Sequence, residues 1–425
     1  MMSVKSMKLS AIAFSLSISS MCVCAQSPGN ESKTQAFHES MVVMDTHLDT
    51  PALLVQPGFD IMHAHTVDGD FSQVDVPRMD AGGLDGGFWV IYTPQGPVTV
   101  EGFESARDTA LLRAMAIHKM VGANPDTFAL ATKPDDAKAI TDEGKKIVYI
   151  SMENAYPLGE DLSLLETFYK MGLRMVGPVH FKNNQFGDSS TDPNGQQYGG
   201  LSPLGEDLVK KANELGIILD GSHAHDELLE DMIRLSKTPV ILSHSGTKSV
   251  YDHPRNIDDE LLKKLVESGG VIHVNAYGSY LTELPSDPER KKAYGELFKQ
   301  MGNIADMTAE EVAALKLKRK QIDMEHPAVR ATFEDYMAHF LHILEIAGPK
   351  HTGVGADWDG GGGVERMMDV AALPLITERL LAEGYTEEDL ADIWGNNVLR
   401  LLSQAQDYAE SLKCIFPNSQ KVSLS

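Results

Sequence analysis

The sequence is poor in cysteine, and the few it has are badly placed for cross-links. Cys22 and Cys24 fall in the first 25 residues, and only Cys414 lies beyond them. If those 25 residues are removed as a leader, no internal disulfide can form, so stability must come from a buried core and from any bound metal. Basic residues are also scarce: 37 Lys and Arg stand against 61 Asp and Glu, a formal net charge of -24. A chain that grips phosphates needs a basic surface, so nucleic acids and anionic membranes are poor partners. Beyond residue 25 no apolar run is long enough to cross a bilayer, which argues against stable membrane insertion. What is present, 42% hydrophobic and 23% charged residues over 425 positions, suits a globular protein with a sizeable core.

The amino terminus reads separately. Lys5 and Lys8 precede an apolar, small-residue stretch over 9–23, and Val23-Cys24-Ala25 offers small residues to a signal peptidase that would cut before Gln26. The expected organisation is a signal peptide over 1–25, with secretion to the periplasm, then a polar linker over 26–40. A single catalytic domain over 41–410 and a tail over 411–425 follow.

Within that domain, strand-like runs alternate with helix-like segments. The runs lie at 41–44, 88–92, 146–152, 173–179, 217–223, 239–244, 270–277 and 352–357, each rich in β-branched or apolar residues. Eight strands alternating with helices predict an α/β fold of the (β/α)8 TIM-like barrel type, and the runner-up is an open doubly wound sheet. The Lys/Glu-rich stretch after the seventh run breaks the rhythm. It predicts a helical insertion over about 282–345, before the last strand, with Thr308 as a helix cap. Glycines 360–363 read as a flexible loop.

Chemistry-bearing side chains collect at the ends of these runs, where barrel enzymes keep their active residues. His47 and Asp49 are two apart, so a strand points both to one side. Glu153, His180, His223, His244 and Asp357 close five other runs. Neutral imidazoles and carboxylates converging with one position left for water suit a borderline cation such as zinc, and a carboxylate from a central strand can bridge two metals. His47, Asp49, Glu153, His223 and His244 form that candidate set, with Glu153 as the bridge. Taken singly, Glu153 also reads as a helix cap, His180 as an interior histidine and Asp357 as the start of a turn. Arg255 suits either a substrate carboxylate or a surface ion pair. His63, His65, His118 and His273 read as loop, helix or structural residues.

Several motifs in fixed order carry a resemblance. They are Asp45-Thr46-His47-Leu48-Asp49-Thr50-Pro51, Gly86-Gly87-Phe88-Trp89, Asp220-Gly221-Ser222-His223, and Pro239-Val240-Ile241-Leu242-Ser243-His244-Ser245. Arg255-Asn256, Gly355-Ala356-Asp357-Trp358-Asp359-Gly360 and Gly395-Asn396-Asn397-Val398-Leu399-Arg400 complete the set. From about 41 to 400 the chain resembles the membrane dipeptidase, or renal dipeptidase, family of zinc peptidases. The resemblance implies a distorted barrel holding two zinc ions, one on His47 and Asp49 and the other on His223 and His244, with Glu153 bridging. It implies that His180 binds the scissile carbonyl and stabilises its oxyanion, that Arg255 holds the terminal carboxylate, and that Asp357 handles protons. Tyr277, at the end of its strand, is expected to touch substrate.

The implied activity is hydrolysis of dipeptides, with tolerance for a D-residue at the carboxyl end, by a homodimer. The alternatives are another metal-dependent amidohydrolase acting on N-acyl amino acids or cyclic amides, and a non-catalytic metal-bound binding protein. Two positions depart from the family pattern: Leu48 stands where many relatives have Asn, and Gly221 where a larger apolar residue is usual. Both raise the question of pocket shape.

Overall fold

The computed structural model describes residues 28–301 and 304–415. The signal peptide expected over 1–25 lies outside the described residues. Ten strands occur in chain order: β1 (Met44–Leu48), β2 (Gly86–Tyr92), β3 (Phe128–Leu130), β4 (Lys146–Glu153) and β5 (Leu173–Val176). They continue with β6 (Ile218–Leu219), β7 (Ile241–Thr247), β8 (Asn256–Ile257), β9 (Val271–Val274) and β10 (Thr352–Val354). Each of the eight expected runs overlaps one strand, although the first, over 41–44, meets β1 only at Met44 because the strand begins there and runs on through His47 to Leu48. The two additions are short: β3 pairs with the start of β4, and β8 with the end of β7.

All strand pairings are parallel, in two sheets ordered β1-β2-β4-β5-β6 and β10-β9-β7-β8. Isolated parallel bridges join them at both seams, Asp220 with Ile241 and Leu48 with Trp358. At those seams the Gly221 amide donates to the Ile241 carbonyl at 2.8 Å and the Asp49 amide to the Trp358 carbonyl at 2.8 Å. The result is the (β/α)8 barrel that the strand rhythm predicts, distorted as the family resemblance implies. Distortion is concentrated in β1, β5 and β7, whose registers shift beside their neighbours.

The barrel's interior changes character along its axis. Near the strand starts, Met44, Phe88, Ile147, Met175, Ile218, Ile241 and Val271 form one buried cluster with Val398, Leu401 and Leu402. Those last three belong to the helix Asn397–Ile415, so the carboxyl-terminal helix plugs this end with apolar side chains. Halfway up the interior turns polar. Thr46 Oγ1 lies 2.7 Å from the Ser243 carbonyl oxygen and 2.9 Å from His273 Nδ1, joining β1, β7 and β9. His273 is thus structural, as expected. His63 pairs with Asp60 on the surface and His118 meets the Met171 carbonyl, in keeping with their loop and helix readings.

Three expectations about the chain's peripheral segments are corrected. The linker expected over 26–40 holds the helix Pro28–His38. Its composition is polar, and it is tied down by its last residue. The buried His38 ring places Nε2 3.0 Å from the Gly82 carbonyl and Nδ1 2.7 Å from Thr377 Oγ1, with the Trp394 indole edge-on at 4.9 Å. The helical insertion expected over about 282–345 comprises the helices Pro288–Met301 and Ala309–Glu325, the second capped by Thr308 as predicted. The helix Phe333–Ala347, which those bounds include, buries Tyr336, Phe340 and Ile343 against the barrel and is one of its own layer. The tail expected from 411 continues the plugging helix through Ile415.

The environment of His38 sets a pH dependence. Burial lowers its pKa from the ordinary 6.5 to about 4, against smaller opposing effects of the Gly82 hydrogen bond and Glu39. Between those values the unfolded chain binds the extra proton, so the stability is complete above pH 6.5 and falls as pH drops towards 4. The full effect is roughly 3–3.5 kcal/mol. Denaturant unfolding of His38→Asn from pH 7 to 4.5 should show a shallower loss of stability on acidification than the parent chain. Equal slopes would assign the acid sensitivity elsewhere.

Candidate metal centre and active site

Four imidazoles converge on one carboxylate oxygen. Glu153 Oε1 lies 2.8 Å from His223 Nε2, 3.4 Å from His244 Nε2, 3.5 Å from His47 Nε2 and 3.7 Å from His180 Nε2. Asp49 Oδ2 lies 3.5 Å from His47 Nε2. Glu153, His180 and His223 come from the carboxyl ends of β4, β5 and β6 or the turns just beyond them, and His244 comes from the middle of β7. His47 and Asp49 share the end of β1 and face one side, as their spacing predicts.

The way the backbone delivers these groups is specific. Asp45 accepts the His47 amide at 2.8 Å and the Ala356 amide at 2.9 Å, tying the end of β1 to the segment that carries Asp357. Asn154, directly after Glu153, has φ 68, and Asp357 has φ 62. Both lie in the left-handed region, which costs a non-glycine residue about a kcal/mol or more and is kept mostly at functional sites. Glycines 360–363, expected to be a flexible loop, are closely packed instead. A Cβ at Gly360 would sit 2.1 Å from Asp49 Oδ2 and 2.2 Å from Asp357 Oδ1, so glycine is needed there for room. The Gly362 amide bonds the Asp357 carbonyl at 2.8 Å, and its carbonyl accepts from Gln73 at 2.8 Å.

A supporting layer fixes which ring nitrogen faces inward. Asp220 accepts from the Ser222 and Ser243 amides, both at 3.0 Å, and from the Ser222 and Ser243 hydroxyls, both at 2.6 Å. Since the Ser243 proton goes to Asp220, its oxygen accepts from His244 Nδ1 at 2.9 Å, which leaves a lone pair on His244 Nε2. On the other side, Arg255 Nη2 donates to His223 Nε2 at 3.3 Å, so that nitrogen also presents a lone pair. The two nitrogens that carry these lone pairs are 3.0 Å apart. They repel unless a cation shares them.

The electrostatics demand positive charge in the same place. Burial, Arg255 and neighbouring histidines drive the pKa of His180, His223 and His244 well below normal, so all three rings are neutral. Glu153 and Asp357 are raised, chiefly by burial with further repulsion from Asp49. Burial lowers His47 too, but the carboxylates Glu153, Asp49 and Asp357 outweigh it and hold the ring up to about 10. A proton on His47 stands where a cation would serve the same carboxylates. His47 Nε2, Asp49 Oδ1 and His223 Nδ1 are buried without a hydrogen-bond partner. The donors group as His47 with Asp49 and Asp357, Glu153 with His180 and His223, and His47 with Asp220 and His244. Nitrogen and oxygen donors in this mixture fit one or more borderline divalent cations.

The centre forms the floor of a cavity of about 230 Å³, whose walls include Tyr92, Arg113, Phe181, Arg255, Tyr277 and Tyr280. A larger cleft of about 500 Å³ beside Pro94 and Thr109 carries Glu101 as its only ionisable side chain and no imidazole, so the chemistry lies in the smaller one. Every residue expected at the site borders this cavity or its floor: His47, Asp49, Glu153, His180, His223, His244, Arg255, Tyr277 and Asp357. Arg255 is buried beneath it, donating to the Ser222 and His244 carbonyls, with its guanidinium 5.3 Å from the Tyr280 ring. Tyr277 stacks on Tyr280 at 4.4 Å. Gly221 lies away from the cavity, where a Cβ would meet Leu229 at 2.7 Å and Leu242 at 3.1 Å, so that departure is absorbed by core packing.

Sequence reasoning assigned no role to Asp220, Ser243, Tyr92 or Arg113. Asp220 and Ser243 sit in the same motifs as His223 and His244, and that proximity was their signal. Arg113 lies on the helix Val100–Ala123, and no motif or strand end marked it.

Residues 31–415 match the membrane dipeptidase family, peptidase family M19. The chain is 29% identical over 350 residues to dipeptidase tcpJ of Claviceps purpurea, covering 81% of this chain and 72% of that one. Its fold is similar to that of the probable dipeptidase PvdM from Pseudomonas aeruginosa, with a TM-score of 0.76 and 27% identity over 90% of this chain and 100% of that one. It is also similar to a metallo peptidase from Rhodobacter sphaeroides liganded with a phosphinate mimic of the dipeptide L-Ala-D-Ala. There the TM-score is 0.68 and the identity 25%, over 86% of this chain and 99% of that one.

Gly360→Ala tests the packing of the centre without touching a ligand. The added methyl should displace Asp49 or Asp357 and weaken metal affinity about 10–100-fold, as disturbed supporting groups do elsewhere. Competition with a chromophoric chelator reads the change, and circular dichroism checks that the barrel is intact. Parental affinity in the variant would mean that the two carboxylates do not both serve the metal.

Proposed function

Because the chain belongs to the membrane dipeptidase family, we propose that it is an exported zinc dipeptidase that hydrolyses dipeptides, including those ending in a D-residue. The observation that carries this reading is the convergence of four histidine Nε2 atoms on Glu153 Oε1 beneath a small cavity that also exposes Arg255. In this reading His47 and Asp49 hold one zinc, His223 and His244 hold a second, and Glu153 is shared between them. When bound, the ions supply positive charge that polarises the scissile carbonyl and acidifies a water.

The chain's own groups account for the rest. Arg255 has no carboxylate partner among the described residues, and its fork suits the terminal carboxylate of a dipeptide. His180 is neutral and so keeps one N–H to donate to the oxygen that becomes negative as water adds to the carbonyl carbon. Asp357, raised by burial and by Asp49, is suited to take a proton from the attacking water. It then passes that proton to the amide nitrogen as the C–N bond breaks, releasing two amino acids. The cavity is smaller than the roughly 300–1,000 Å³ of drug-sized pockets, which favours a substrate of dipeptide size. Tolerance of a D-residue is supported by the L-Ala-D-Ala mimic held by the Rhodobacter sphaeroides neighbour. Export rests on the leader over 1–25, and the homodimer rests on the family resemblance.

Hydrolysis of L-Ala-L-Ala, L-Ala-D-Ala and N-acetyl-L-Ala by the purified chain tests the proposal, with chelator and with zinc added back. Free-amine dipeptides should be cleaved, activity should fall at least about 100-fold on chelation, and zinc should restore it. Chelator-resistant turnover would sink the metal mechanism. Preference for the acylated amino acid would move the assignment to an acylase.

A further inference from the structure

The cavity holds a second cation that the proposed reaction leaves unused. Arg113 reaches it from the helix Val100–Ala123 and lines it beside Asp49, Glu153 and His180. Among the described residues its guanidinium makes one hydrogen bond, from Nη1 to the Tyr92 carbonyl, and no carboxylate lies within ion-pair distance. Its Nε is buried without a partner. The guanidinium carbon lies 5.2 Å from the centre of the Tyr92 ring, which braces it without neutralising it. A half-buried cation with a buried, unpartnered Nε costs stability, and a structural tie to one carbonyl needs only one of its nitrogens. The remaining donors are available to a ligand.

The position of Arg113 along the cavity shows which part of a ligand it meets. Tyr92 packs against His180 at 4.9 Å, His180 packs against His223 at 4.2 Å, and Arg255 bonds His223 at 3.3 Å. These contacts link the two guanidiniums through Tyr92, His180 and His223, so His180 lies between them along the chain of contacts. If Arg255 takes the terminal carboxylate and His180 the scissile carbonyl, the amino-terminal residue extends towards Arg113. Its ammonium is repelled by Arg113 and drawn to Asp49 and Asp357, so the group left to meet the guanidinium is the side chain.

We infer that Arg113 is a specificity residue for dipeptides whose amino-terminal side chain carries a carboxylate. This rests on the dipeptidase reading, and the test separates the two.

Steady-state kinetics of the zinc-loaded enzyme are compared for Glu-Ala, Ala-Ala and Ala-Glu, in the parent, Arg113→Gln and Arg113→Lys. The parent should favour Glu-Ala over Ala-Ala. Arg113→Gln should lower that ratio of kcat/KM about 10–100-fold, mainly through KM, and Arg113→Lys should restore part of it. A parent that cleaves none of the three would count against the dipeptidase reading itself. A parent that cleaves Ala-Ala without favouring Glu-Ala would overturn the Arg113 assignment alone. So would an Arg113→Gln variant that slows all three substrates equally, as expected if the residue only braces Tyr92 or tunes the metal ligands. A ratio change confined to Ala-Glu would place the acidic side chain at the other end and overturn the assignment too.

Discussion

Everything at the top of this barrel depends on one electrostatic constraint: too many electron pairs are aimed at too small a buried volume. Four imidazole nitrogens surround a single Glu153 oxygen, and Asp49 and Asp357 stand close by. Hydrogen bonds within the cluster leave His47 Nε2, Asp49 Oδ1 and His223 Nδ1 buried without a partner. Neutral rings at His180, His223 and His244 remove repulsion between like charges but add lone pairs that need a donor or a cation. A proton on His47 answers part of the demand, and bound cations answer it fully, which makes metal affinity and local stability two aspects of the same interaction.

Such a cluster can persist only because the rest of the fold is firm. The apolar plug formed by Met44, Phe88, Met175 and Val271 with the last helix fixes where the strands start, and the polar belt of Thr46, Ser243 and His273 fixes their spacing halfway up. Strand ends then emerge at set positions, and short-range devices aim the side chains. The most economical of these is Asp220, which orders both serines that precede the ligand histidines. Left-handed backbone at Asn154 and Asp357 turns the chain sharply just where Glu153 and Asp357 face into the cluster. Strain of this kind is affordable only where surrounding bonds overdetermine the conformation.

The same physics decides what could be read without the structure. His47, Asp49, Glu153, His223 and His244 were legible because strand ends are visible as apolar runs, and a barrel collects such ends in one place. The helix Pro28–His38 was not, because one buried histidine holds it and a polar sequence shows no stripe for it. The helix Phe333–Ala347 was absorbed into the insertion because a charged stretch runs directly into its apolar pattern. Glycines 360–363 were misread because glycine marks both freedom and lack of space, and only coordinates show that Asp49 and Asp357 fill the space a Cβ would need. Arg113 was hidden for a different reason: it lies on a helix, where no motif or strand end marked it.

Charge therefore shapes this site more than apolar fit does. Rings of Tyr92, Phe181, Tyr277 and Tyr280 wall the cavity, but rings of this kind accept many shapes, and discrimination between side chains by apolar contact alone is worth only about 1–3 kcal/mol per methylene. Two guanidiniums without carboxylate partners among the described residues act differently. Each leaves buried donors unsatisfied unless the ligand brings an anion to it, so a ligand lacking that anion loses an attraction and also leaves an uncompensated charge. Arg255 can apply this test to any peptide terminus. A second cation, joined to Arg255 by the contacts through Tyr92, His180 and His223, converts the same principle from recognition of a dipeptide into selection among dipeptides.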